Sequence, residues 1–167
     1  MAFSPLTDNP FAVLTAVVAP AILTNASSVL CLGTSNRLAR VVDRTRVINA
    51  EIVHYSPNSR DYQVRAAQLE GMKTRAELLY RALRILYASL GSFAASALIS
   101  VIGSALAFFN SQIGFHVAAV VGLAVGAFAV YGLVTGCLLM VRETRLAVKI
   151  IGEEMELARS QRIGDAT

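Results

Sequence analysis

The chain is predicted to be all-α and membrane-embedded, with three long transmembrane helices continuing into a cytoplasmic three-helix bundle. Three observations predict this. Hydrophobic residue types make up 55% of the 167 residues and charged types only 16%, where a soluble domain carries about 25% charged residues. The charges are also segregated, with no Asp, Glu, Lys or Arg between 85 and 141 and none between 9 and 36. Outside those runs, apolar residues recur at steps of three and four, the mark of one helical face. The composition argues against a disordered chain, a collagen-like chain or a small disulfide scaffold. The length fits a single membrane domain covering 1–167.

A spanning helix takes about 20 apolar residues, so the longer charge-free run holds two spans and the shorter run one. The first span is placed at about 11–33. Nothing basic precedes it, and its apolar run exceeds the ~7–15 residues of a signal-peptide core. A retained first helix is therefore expected. Helical periodicity continues over 34–55 through Leu38, Val41, Thr45, Ile48 and Ile52. Pro57, Asn58 and Ser59 form a turn signal, and Asn58 or Ser59 is suited to cap the next helix. That helix covers 60–84 with Tyr62, Leu69, Met72, Ala76, Leu79 and Leu83 on one stripe, which runs on through Leu86 into the second span, 85–109. Asn110, Ser111 and Gln112 break the run, and the third span follows over 113–141. Leu146, Ile150 and Leu157 carry the pattern through a last extension, 142–162. Each extension reaches about 30 Å beyond the membrane at 1.5 Å per residue, long enough to pack by coiled-coil-like seams. Gly71 and Gly152 are weak points in helix propensity.

Lys and Arg set the orientation. All 15 lie either between the first and second spans or after the third. The positive-inside rule then places the N-terminus outside and the C-terminus in the cytoplasm. The basic balance is thereby a topology signal. No basic face with base-reading residues is visible, so no nucleic-acid partner is expected.

Two stretches carry a resemblance. One is Asn36-Arg37-Leu38-Ala39-Arg40-Val41-Val42-Asp43-Arg44-Thr45-Arg46, directly after a Pro-containing first span. The other is Met140-Val141-Arg142-Glu143-Thr144-Arg145-Leu146. Both resemble the uncharacterised bacterial three-span membrane family filed as domain of unknown function 2721, over about residues 12–155. The resemblance implies a bacterial inner-membrane location and brings no established activity.

Polar residues inside the spans are the candidate functional groups. Pro20 interrupts the hydrogen bonding of the first span, and Thr24, Asn25, Ser27 and Ser28 follow within two turns. Polar groups at this depth face protein or water. They form a candidate pore or polar patch, because neutral amides and hydroxyls can replace part of an ion's hydration shell. The plainer reading is hydrogen-bonded contact between helices. Ser92, Ser96, Ser100 and Ser104 follow one another at steps of four in the second span. The third answers with small residues, among them Gly114, Ala118, Gly122, Gly126, Gly132 and Gly136. Such faces let two backbones approach closely; a polar stripe along a water-filled path is the sharper alternative. Arg37, Arg40, Arg44 and Arg46, with Asp43 among them, form a basic inner mouth. They are expected to anchor at anionic headgroups, with Asp43 fixing the register of the bundle, or else to concentrate anions.

No catalytic residues, cofactor or metal site are expected. No carboxylate lies in any span, which argues against a proton-coupled transporter. Ser104 and His116 are at matching depths, yet Gly103-Ser104-Ala105 is no hydrolase elbow. His54 and His116, with Cys31 and Cys137, lack metal-ligand spacing, and the two thiols near the reducing side are expected to stay reduced. The expected function is a small homo-oligomeric ion-conducting pore in the lipid bilayer. The rival is a non-conducting scaffold or regulatory subunit that binds a cytoplasmic protein through its helices.

Overall fold

A computed structural model of the chain describes residues 11–109 and 112–164, with side chains described over 18–109 and 112–152 and at Met155. The described chain forms three helices, α1 (Phe11–Ile52), α2 (Arg60–Phe108) and α3 (Gln112–Gly164). All three are long and apolar enough to cross a membrane. The expected break falls between Phe108 and Gln112, and Asn110 and Ser111 lie outside the described residues.

The α1–α2 connection is made by turn chemistry. The Ser59 amide donates to the Ser56 carbonyl at 2.9 Å, closing a four-residue turn with Pro57 at its second position. Ser59 is the cap: its hydroxyl accepts the Tyr62 amide at 3.2 Å. Asp61 sits in the first turn of α2, where a negative charge suits the helix dipole. Upstream, α1 runs on through Pro20, and the Thr24 hydroxyl donates to the Pro20 carbonyl at 2.8 Å.

Most buried positions follow a heptad. On α1 they are Ser27, Thr34, Val41 and Ile48, with Cys31 beside that line; on α2 they are Leu79, Leu86 and Phe93 together with Ala82, Ser89, Ser96 and Gly103. On α3, Gly122, Ala129, Gly136 and Glu143 fall on one line. A seven-residue repeat keeps one narrow seam facing its partners along a whole helix. The remaining stripe residues, such as Leu38, Thr45, Met72, Leu83 and Ile150, flank the seams half-buried. Leu157 lies outside the described side chains.

The chain divides into two compact units. One takes in α1 up to Leu32 with Arg84–Thr135; the other takes in Gly33–Leu83 with the chain from Gly136 onward. In the first, Phe93 is the largest fully buried side chain; in the second, Ile48 and Leu79 are.

Candidate functional site

In the first unit, α2 and α3 meet along small residues. The Ser96 hydroxyl donates to the Gly122 carbonyl at 3.0 Å across the contact. A Cβ at Gly126 would lie 3.3 Å from the same Ser96 oxygen, and one at Gly132 would overlap the Ser89 hydroxyl. A methyl at Gly132 would force the Ser89 hydroxyl to move, and one at Gly126 would fit only tightly against Ser96. The other serines of the row turn back on their own helix. Ser92, Ser100 and Ser104 donate to the carbonyls of Ala88, Ser96 and Ser100 at 2.9 Å each. Steps of four advance about 40° each around a helix of 3.6 residues per turn, so the row drifts off the seam and only Ser96 sits on it.

A groove of about 540 Å³ opens beside this contact, lined by Pro20, Ser100, Ser104, Phe115, Leu123 and Val130 among others. Its lining is mostly apolar, since the serine hydroxyls there are engaged with backbone.

The polar residues of α1 do not share one face. Ser27 is fully buried, and its hydroxyl finds no hydrogen-bond partner among the described residues. Asn25 and Ser28 are exposed, and Thr24 is half-buried with its hydroxyl on Pro20. Two residues of helix turn the direction by about 200°, which puts Asn25 opposite Ser27. Ser28 lies about 60° from Asn25 by the same geometry.

In the second unit two ion pairs converge on one carboxylate, Glu143. Arg75 Nη2 lies 2.8 Å from Glu143 Oε1, and the Arg75 side chain is only 20% exposed. Its Nε donates to the same oxygen at 2.9 Å. Arg37 Nη1 lies 3.8 Å from Oε2 and 3.3 Å from the Thr144 hydroxyl. Arg37, Arg40, Arg44 and Arg75 line a cleft of about 390 Å³ with Glu143 and Thr144. Asp43 behaves otherwise. It pairs with Arg46 on its own helix at 3.8 Å, with both side chains more than 70% exposed. The residue that ties helices together at this level is Glu143, because it sits on the seam and Asp43 faces outward. Further along, Arg65 pairs with Glu51.

Residues 17–152 match the family described as "Protein of unknown function (DUF2721)". The chain belongs to this family. Nothing matches the chain among curated proteins or among solved structures. In this DUF2721 chain the matched region takes in both the α2–α3 contact and the Arg-lined cleft. The family description names no activity, so a functional reading has to come from these residues.

Glu143, Arg75 and Ser89 were not singled out from sequence. A signal for them exists. Glu143 lies seven residues beyond Gly136 on the heptad line, and Arg75 lies seven before Ala82, the line that continues to Ser89. Charged residues on a hydrophobic seam have to find each other or water. His116 Nδ1 lies 2.7 Å from the Gln112 carbonyl, so its ring is held on its own helix, as the Ser104 hydroxyl is on Ser100. His54 Nδ1 lies 3.1 Å from the Ala50 carbonyl. Both cysteines are free thiols, with Cys31 buried.

Proposed function

We propose that this is a homo-oligomeric protein of the bacterial inner membrane in which copies of α1 enclose a small ion-conducting pore. The N-terminus is outside, and the second unit is a cytoplasmic helical bundle. The observation that carries the reading is the outward amide of Asn25. Asn25 is three residues from the midpoint of the expected 11–33 span, about 4.5 Å along the helix axis. An amide left in hydrocarbon without a partner costs about 2–7 kcal/mol. A second copy or a water-filled lumen removes that cost. A single three-helix protomer has little room for a path of its own, so conduction requires assembly. In a ring, Asn25 and Ser28 from each copy supply neutral oxygens that replace part of an ion's hydration shell. The arginines that follow α1's span then stand at the inner opening.

Native mass spectrometry of the full chain in lipid nanodiscs tests this reading. A ring of four or more subunits with ion flux in liposomes supports it. A monomer or dimer that persists across lipid conditions removes the central pore.

One observation favours a second reading, a non-conducting scaffold or regulatory subunit. Val148, Ile151 and Met155 form an exposed apolar stripe at steps of three and four on α3. These residues lie beyond Val141, in the part read as cytoplasmic, where no lipid covers them. A partner protein would bury them. Substituting Ile151→Glu should then abolish cross-linking to that partner while leaving subunit number unchanged.

A further inference from the structure

We propose that the cleft lined by Arg37, Arg40, Arg44 and Arg75 is a binding site for a phosphate group. The inference stands on the second unit alone and does not depend on whether the protein conducts ions.

Four guanidinium groups share this cleft with a single carboxylate. Both oxygens of Glu143 are already engaged, one by Arg75 and the other by Arg37. Arg40 and Arg44 line the cleft, are exposed, and have no ion pair among the described residues. They stand four residues apart on α1, so their side chains project from the same face about 6 Å apart. Each guanidinium carries five donors in a planar fork. Arg75 places Nε and Nη2 on Glu143 and Nη1 against Met72 Sδ at 3.9 Å, so the forks offered to a ligand are chiefly those of Arg40 and Arg44.

The geometry selects the class of ligand. A carboxylate has two oxygens and would satisfy one fork. Several forks turned into one cleft match an anion with three or four equivalent oxygens, which is how arginines recognise phosphate. Four like charges facing one carboxylate are only partly neutralised and repel each other, and a bound dianion reduces the repulsion. Glu143 is a positioning residue here. It is buried on the α3 seam and holds Arg75 and Arg37 against the wall of the cleft, so the site is formed before the ligand arrives. The Thr144 hydroxyl donates to the Met140 carbonyl at 3.0 Å, which leaves its oxygen free to hold Arg37.

Two sources of phosphate fit. Arg37 follows the expected end of the first span by four residues, about 6 Å, within reach of a phospholipid headgroup. The cleft is equally open to a soluble phosphate compound. Full-length protein in detergent, stripped of lipid, would be titrated with inorganic pyrophosphate by calorimetry and with phosphatidylglycerol by native mass spectrometry. At least one is expected to bind. The Arg40→Gln/Arg44→Gln double substitution should weaken binding by about tenfold or more, as loss of two phosphate forks implies. A control with the same charge change outside the cleft, Arg46→Gln/Arg145→Gln, should stay within about twofold. Pyrophosphate binding identifies a soluble ligand, and lipid retention without it identifies a headgroup. Binding of neither, or equal weakening by the control pair, overturns the proposal.

Discussion

Arg75 and Glu143 form a two-pronged contact between α2 and α3, with Nε and Nη2 at 2.9 and 2.8 Å from the same carboxylate oxygen. Both residues occupy heptad seam positions that elsewhere hold Ala82, Ser89, Ala129 and Gly136. A charged pair on a seam specifies which turns of two helices face each other, at some cost in stability against an apolar pair. The three charged groups are not equivalent. The Glu143 side chain is 3% exposed and Arg75 20%, whereas Arg37, the carboxylate's other partner, is 50% exposed and has access to water.

That asymmetry orders the effects of substitution. Arg75→Met leaves Glu143 buried with only the longer Arg37 contact, and should cost about 3 kcal/mol. Glu143→Gln keeps a neutral acceptor beside the largely covered Arg75 and leaves Arg37 its access to water, and should cost about 1–2 kcal/mol. Asp43→Asn removes only an exposed pair on one helix and should stay within about 0.5 kcal/mol. Thermal unfolding in a single detergent gives the three Tm values. A Tm drop for Asp43→Asn as large as that for Arg75→Met would contradict this assignment.

Gly132 and Ser89 make a second pair. Gly132→Ala places a methyl where the Ser89 hydroxyl sits, and overpacking of this kind costs about 1–3 kcal/mol. The Ser89 hydroxyl donates only to the Ile85 carbonyl of its own helix, so Ser89→Ala alone should be mild. The double substitution should then recover much of the loss, a coupling measurable by a double-mutant cycle. Strictly additive effects would mean that the hydroxyl is not the obstruction.

Two serines four residues apart should respond differently. Ser96→Ala removes a hydrogen bond between helices, worth about 0.6–1 kcal/mol in a membrane setting. Ser100→Ala removes a bond within α2 and should be close to neutral. Equal losses would show that Ser96 does not bridge α2 and α3 in the membrane.

Asn25 and Ser27 differ in the same way across α1. Ser27→Ala deletes a buried hydroxyl without a partner, so stability should hold or rise by about 1 kcal/mol. Asn25→Leu should leave the protomer folded and the assembly intact while altering ion flux in liposomes. Unchanged flux in correctly assembled protein would take Asn25 out of the path.

Much of the fold was legible in the sequence because the signals are coarse and local. Charge-free stretches with apolar residues longer than a bilayer is thick mark the three helices. Pro57 and Ser59 mark where α2 starts, and steps of three and four mark which stripe of each helix turns inward. Membership of the DUF2721 family was visible in two short motifs. These features need only chain length, hydropathy and helical periodicity.

The pairing of side chains was decided by tertiary structure. Thr24, Asn25, Ser27 and Ser28 look alike as a polar run, but only contact with other helices makes Ser27 interior and Asn25 exterior. Asp43, set among four arginines, looks like the ionic anchor, yet it points outward while Glu143, about a hundred residues further on, receives Arg37 and Arg75. A row of serines at steps of four looks continuous, yet the 3.6-residue turn lets one of them reach α3. Sequence fixes the direction of each side chain around its own helix. Which neighbour lies in that direction depends on the rotation and register of three helices at once, and packing across the seams sets those.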